Sequence, residues 1–292
     1  SIPASHLLLR VSDNEIWLRG GHCWLRAMLS QWSGEERLHA NVLTPVLISG
    51  KQGLSKSTFC RLLMPDSLRH YFVDNLNLAA GSSPEKKLVK NGLINLDEFD
   101  KIKESQQATL KNLLQMVNVP VFRGKRLGWV NESRLASFIA TTNVYQVLID
   151  STGSRRFLCV EVLKPISEEP LEHKQIYAQL KEELKSGAPD YLNKEEEKAL
   201  QKHNKAYYRQ SLLEDVFHCC FRHPLETEKG IWLTTAEIFQ VMRKFNSAAL
   251  KEVSARQLGL KLSAMGYMAK HTSFGNRYYV FNLLAEKKEV SL

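Results

Sequence analysis

Residues 45–58, PVLISGKQGLSKST, run without interruption from an apolar stretch into a glycine-containing polar loop and then into helix-forming residues. A strand that is apolar at successive positions must be covered on both faces, which is the condition of a strand inside a parallel sheet. Three further runs of this kind follow: GLINL at 92–96, ASFIATT at 136–142 and FLCVEV at 157–162. Helical or polar stretches separate them, so the pattern predicts an α/β fold built on a buried parallel sheet.

The chain of 292 residues has room for roughly two domains. No apolar run approaches the ~20 residues that cross a bilayer, so no membrane partner is expected. The opening SIPASHLLLRVSDNEIW is broken by Arg10 and Asp13 and does not read as a secretory signal. With Ser1 in place of Met, the chain reads as a piece of a longer protein. Its five cysteines form no Cys-x-x-Cys pair, which predicts reduced thiols and a cytoplasmic location.

Four segments follow from the composition. Residues 1–44 form an N-terminal helical segment, with a helix at His22–Trp32, and residues 45–164 form the α/β core. Residues 165–228, rich in Lys, Glu, Gln and Leu and divided at Gly187-Ala188-Pro189, read as a helical lid or linker. Residues 229–292 give a Thr-capped helix with Glu237, a second helix from Ser254 to near Gly266, and two β-like runs around Phe274-Gly275-Asn276. That is the order of a C-terminal winged-helix domain. The net charge of +9 favours a polyanion, most commonly nucleic acid.

The loop itself is one residue away from the phosphate-binding pattern Gly-x-x-x-x-Gly-Lys-[Ser/Thr], with Ser55 in place of the second glycine. In such a loop the backbone N–H groups of Gly50, Lys51, Gln52, Gly53, Leu54 and Ser55 surround phosphates. Lys56 neutralises the β- and γ-phosphates of ATP, Ser57 offers its hydroxyl to Mg²⁺, and Thr58 opens the following helix. Ser55 carries a cost of about 1–2 kcal/mol if its position needs a left-handed backbone. The competing reading is a strand-to-helix turn that binds nothing.

Three more motifs bear on that choice. LINLDEFD ends a buried run in Asp97 and Glu98, the first suited to Mg²⁺ through its waters and the second to orienting an attacking water. A solvated acidic turn is the alternative. ASFIATTN ends in Thr141, Thr142 and Asn143, where Asn143 is a candidate γ-phosphate sensor or simply a turn cap. In DSTGSRRF, Asp150, Thr152 and Gly153 form a turn presenting Arg155 and Arg156, either as a finger to a neighbouring subunit or as an ion pair with Asp150 or Glu161.

In this order and spacing, GKQGLSKST, LINLDEFD, RLASFIATTN and DSTGSRRF resemble the virulence-associated protein E family. Its members are bacterial P-loop ATPases of phages and mobile elements, similar to superfamily 3 helicases of the AAA+ class. The likeness spans about residues 20–162. It implies a P-loop AAA+ core, ATP hydrolysis at the interfaces of a homo-oligomeric ring, and the roles given above for Lys56, Ser57, Asp97, Glu98, Asn143 and Arg155/Arg156. Ser55 departs from the family's glycine.

The helicases carry a basic channel hairpin between the acidic pair and the sensor, and VFRGKRLGWV (121–130) occupies that place. Arg123, Lys125 and Arg126 would meet phosphates of single-stranded or forked DNA, with Phe122 or Trp129 stacking on bases. A solvated basic turn is the other reading. In the C-terminal domain Arg256, Lys261 and Arg277 are candidate nucleic-acid contacts, together with Lys270 and His271; winged helices also dock proteins. The resulting expectation is an ATP-hydrolysing, helicase-like protein acting on DNA in mobile-element replication. Its rivals are an initiator or scaffold that uses ATP only to assemble, and a small-molecule kinase.

Overall fold

The strand Thr44–Ile48 (β1) is buried at every position and is paired on both sides. This computed structural model describes residues 3–34, 37–79, 81–149, 154–209, 212–250, 253–273 and 275–285. The chain divides into two compact units, 1–208 and 209–292.

In the first unit the helices are α1 (Pro3–Leu9), α2 (Glu15–Trp32), α3 (Lys56–Leu62), α4 (Glu85–Lys90), α5 (Glu104–Gln115), α6 (His173–Lys185) and α7 (Lys194–Asn204). Besides β1, its strands are β2 (Phe72–Asp74), β3 (Leu93–Leu96), β4 (Asn118–Phe122), β5 (Trp129–Ser133), β6 (Ser137–Thr142) and β7 (Phe157–Glu161). Five of them make a wholly parallel sheet in the order β2-β3-β6-β1-β7, while β4 and β5 form a separate antiparallel hairpin.

Successive strand residues serve opposite helix layers, as the two-residue period dictates. Leu47, Leu93, Ile139, Leu158 and Val160 pack with Trp24 and Met28 of α2, Phe59 of α3, and Ile176, Leu180 and Leu200 of α6 and α7. Val46, Ile48, Ile94, Phe138, Ala140 and Cys159 pack with Leu88 of α4 and with Leu110, Leu113 and Leu114 of α5. Both faces are covered, so these strands can be apolar throughout.

Polar ties fix α2 to the sheet: Trp24 Nε1 donates to Phe138 O at 3.1 Å, and Gln31 Nε2 to Ala136 O at 2.8 Å. At the same seam the guanidinium of Arg134, 2% exposed, donates to the carbonyls of Asn41, Leu113, Leu114 and Ala136. Burial pushes its pKa down to about 9, with Arg37 adding to the effect. Those carbonyls include two in the last turn of α5, where helical carbonyls run out of intrahelical donors; Leu113 O also accepts from Met116 N at 3.3 Å.

The helices expected to form a separate lid lie on the core instead. The apolar residues of α6 and α7 join the cluster around α2, and α6 grips the end of α3: His173 Nε2 lies 2.7 Å from Leu62 O, and Tyr177 OH donates to Leu63 O. The expected boundary at 228/229 falls at 208/209, because Leu213, Val216, Phe217 and Cys220 belong to the second unit's core.

That unit contains α8 (Leu212–Cys220), β8 (Phe221–Arg222), β9 (Ile231–Thr234), α9 (Thr235–Phe245), α10 (Ala255–Ala264), β10 (Ala269–Thr272) and β11 (Gly275–Asn282). The strand β11 pairs antiparallel with β10, β9 and β8. Both α9 and α10 begin in capping boxes, Thr234 with Glu237 and Ser254 with Gln257, each satisfying two otherwise unpaired N–H groups. Gly275, at φ +99°, supplies the left-handed residue that starts β11. Phe274, expected in that turn, lies outside the described residues.

Candidate functional site

Because β3, β6 and β1 are parallel neighbours, their C-terminal ends open on one edge, where a parallel sheet binds its ligands. The chain leaves β1 through Ser49 and enters α3 at Lys56. Within that loop Gly53 has φ +76° and Ser55 has φ 60° and ψ 26°. Ser55 therefore stands in the left-handed region, and its carbonyl accepts the first helical bond, from Phe59 N at 2.9 Å.

Lys56 is 8% exposed. Its Nζ donates to Ser49 Oγ and, at 2.9 Å, to Asn143 Oδ1 from the end of β6. Burial lowers its pKa, and nearby Asp97 opposes that shift. Ser57 Oγ lies 3.3 Å from Asp97 Oδ1 at the end of β3, and Thr141 Oγ1 donates to the same carboxylate oxygen. A cavity of about 340 Å³ lies among these groups, lined by Gln52 to Thr58 on one side and by Asp97, Glu98 and Thr141 to Asn143 on the other.

Three strands thus bring together the lysine, the hydroxyl, the first acid and the asparagine singled out in the sequence. Glu98 also lines the cavity, but it is exposed, has φ 52°, and pairs with Lys101 Nζ at 2.6 Å. Gly50 and Lys51 are not among the lining residues. Gly50 packs against Tyr145, and the Lys51 carbonyl accepts from Ser49 Oγ at 2.6 Å.

Arg155 and Arg156 stand away from the cavity lining, in the short turn before β7. Arg155 pairs with Glu197 of α7 at 3.5 Å, and Glu161 instead accepts from Tyr145 OH at 2.7 Å. Asp150, Thr152 and Gly153 lie outside the described residues.

Sequence reasoning missed three supports. Thr141 holds Asp97, Ser49 meets Lys56, and Asp100 accepts from Thr142 Oγ1 at 2.6 Å. Their positions at or just beyond apolar runs mark them as candidates, but which partners they meet depends on strand order.

The basic candidates divide into paired and unpaired groups. In the β4–β5 hairpin Arg123 is paired with Glu132, which raises the arginine's pKa and lowers the glutamate's. Lys125 and Arg126 are exposed at the tip, and among the described residues neither has an ion-pair partner. Phe122 and Trp129 face each other across the strands with ring centroids 5.6 Å apart, and Trp129 is 73% exposed. In the second unit Lys261 pairs with Glu214 at 2.9 Å, Arg256 is exposed on α10, and Arg277 is half-buried opposite Thr234 and Lys270, its Nε without a hydrogen-bond partner. Among the described residues no helix is long and apolar enough to cross a membrane.

Residues 13–209 match the family described as virulence-associated protein E-like domain. Residues 210–280 match a family described as a domain of unknown function from B. theta. No curated protein matches the chain. Among solved structures it is similar to the apo structure of the NrS-1 C-terminal region (305–718), with 14% identity and a TM-score of 0.44 over 95% of this chain and 74% of that one. The A-form apo structure of the same region gives 13% identity and a TM-score of 0.45, with the same coverage.

Proposed function

The chain belongs to the virulence-associated protein E-like domain family, and from that premise we propose that it is a P-loop ATPase of the AAA+, superfamily 3 helicase-like kind, acting on nucleic acid in mobile-element replication. The observation that carries this reading is the meeting of Lys56 with Asn143, and of Ser57 with Asp97, at one sheet edge.

The donor set fits a magnesium nucleotide. A buried ammonium whose two direct partners are neutral oxygens has capacity left for an anion. A hydroxyl and a carboxylate 3.3 Å apart suit a hard cation that keeps several waters and completes its shell with phosphate oxygens. Among the described residues there is no cluster of three His, Cys, Asp or Glu side chains to cage a metal otherwise.

In the proposed reaction Lys56 holds the β- and γ-phosphates, and Ser57 and Asp97 would hold Mg²⁺, with Asp97 steadied by Thr141. Magnesium, when bound, neutralises charge on the transferring phosphoryl group. Asn143 contacts the γ-phosphate, and Glu98 orients the water for in-line attack after leaving Lys101. The present Glu98–Lys101 pair also favours a second reading, an ATP-dependent initiator or scaffold that hydrolyses slowly.

Assembly into a ring would offer Arg155 or Arg156 to the neighbour's nucleotide. The exposed Arg155–Glu197 pair is worth only about 0–1 kcal/mol and gives way readily. The β4–β5 tip is the proposed contact for single-stranded DNA. Two capped helices followed by an antiparallel hairpin support a winged-helix reading of the second unit, with Arg256 and Arg277 toward nucleic acid.

Steady-state ATPase assays with and without single-stranded DNA, on wild type and Lys56→Ala, test the proposal. Turnover that DNA stimulates and that Lys56→Ala abolishes is expected. Wild-type turnover in folded Lys56→Ala would end the P-loop reading.

A further inference from the structure

Gly50 is not among the glycines with positive φ, so its backbone angles do not demand glycine. Space does. A Cβ at Gly50 would lie 2.9 Å from Cε2 of Tyr145, closer than a side-chain carbon comes without displacement, and in ordinary contact with Cζ at 3.6 Å. The ring that occupies this space is itself held. Tyr145 OH donates to Glu161 Oε1 at 2.7 Å.

The two ends of this tie lie on different strands. Tyr145 follows β6 by three residues and Asn143 by two, whereas Glu161 is the last residue of β7. Between β6 and β7 runs β1, with Ile48 opposite both Thr142 and Glu161. The side chain of Tyr145 therefore passes across the exit of β1, resting on the second residue to leave it. Core packing does not account for this placement, because the side chain is 43% exposed.

We propose that Tyr145 is a positioning residue of the nucleotide site: strapped to Glu161, its ring sets the height of Gly50 and so the reach of Lys56 to Asn143. The inference rests on the phosphate-loop reading above. The loop is pinned at its far end, where Ile166 N donates to Leu54 O at 3.2 Å. Tyr145 supplies the pin at its beginning. Space at residue 50 and the size of residue 145 are then one variable.

That coupling is what a double-mutant cycle measures. Gly50→Ala forces the ring or the loop to move, and a misplacement of ~1 Å at a catalytic site costs up to about a hundredfold in rate. A fall in kcat/KM for magnesium ATP of about tenfold or more is expected for Gly50→Ala. Adding Tyr145→Ala should bring it back to within about threefold of Tyr145→Ala alone, since the methyl then has room. Tyr145→Phe keeps the ring over Gly50 and loses only the tie, so it should retain more activity than Tyr145→Ala. Melting temperatures without nucleotide establish that each variant is folded.

Losses that simply multiply, or a folded Tyr145→Ala with wild-type kcat/KM, would overturn the inference while leaving the ATPase reading intact. If Gly50→Ala does not fold, the comparison of Tyr145→Phe with Tyr145→Ala decides alone, equal activities counting against the strap. A wild type that neither binds nor hydrolyses ATP would remove the phosphate-loop reading and this inference with it.

Discussion

The ammonium of Lys56 stands 2.9 Å from the amide oxygen of Asn143, across 87 positions of sequence. The contact joins the loop leaving β1 to the end of β6, and it lies beside the carboxylate that β3 contributes. A γ-phosphate entering here would be approached by both side chains at once. The following expectations depend on that geometry or on the surfaces around it.

Ser55→Gly should stabilise the protein and keep or raise its ATPase rate. Ser55 has φ 60°, a conformation that costs a non-glycine residue about 1–2 kcal/mol and glycine almost nothing. Thermal unfolding with and without magnesium ATP, together with kcat, checks it. A large loss of activity would mean that the hydroxyl has a task of its own.

Glu98→Gln should bind magnesium ATP with near-normal affinity and turn it over roughly 10²–10⁴-fold more slowly. Asp97, held by Ser57 and Thr141, is untouched by the change. Isothermal titration alongside single-turnover hydrolysis separates the two effects. Lost binding would reverse the roles of the two acids.

At the β4–β5 tip, Lys125→Ala with Arg126→Ala should weaken single-stranded DNA binding. Each lost phosphate contact should flatten the log–log salt dependence by about 0.7. Adding Arg123→Ala should change the slope little further, because Arg123 is already paired with Glu132. Fluorescence anisotropy at several salt concentrations reads the slopes, and ATP binding should stay unchanged.

Glu228 gives a pH signature within the second unit. Hydrogen bonds from Arg222 and from the Leu225 N–H lower its pKa from 4.5 to about 2. A depressed folded-state value means that its stabilising contribution is full above about pH 4.5 and is lost as the pH falls toward 2. Carboxyl-carbon NMR should place its titration near 2, and Arg222→Gln should move it up toward 4.5. An unmoved titration would discount the pairing.

The strands β1, β3, β6 and β7 were legible because a twice-covered strand is apolar at most of its positions in succession. The short edge strand β2, Phe72–Asp74, is only partly buried and left no such mark. The helix expected from His22 begins at Glu15, since Gly20 and Gly21 look like breakers in sequence. In the fold they are points of close approach: a Cβ at Gly20 would meet Leu158 at 3.0 Å, and one at Gly21 would meet Leu8 at 2.7 Å. The cavity-lining residues of the β1–α3 loop could be picked out because they are contiguous. The bond of Thr141 to Asp97 could not, because strand order alone makes β3 and β6 neighbours. The boundary at 208/209 was hidden for a related reason: α8 continues the amphipathic pattern of α7 while burying its apolar face elsewhere.

The central place of β1 has a consequence for synthesis. Val46 pairs with Ala140 on one side and with Cys159 on the other. At ~5–20 residues per second a ribosome needs roughly 5–20 s to deliver the first of these partners after β1 itself has been made. Throughout that interval a largely apolar strand has two open edges and no sheet to join, and such edges recruit other chains. Slower translation through residues 49–140 should therefore send more of the chain into aggregates or onto chaperones.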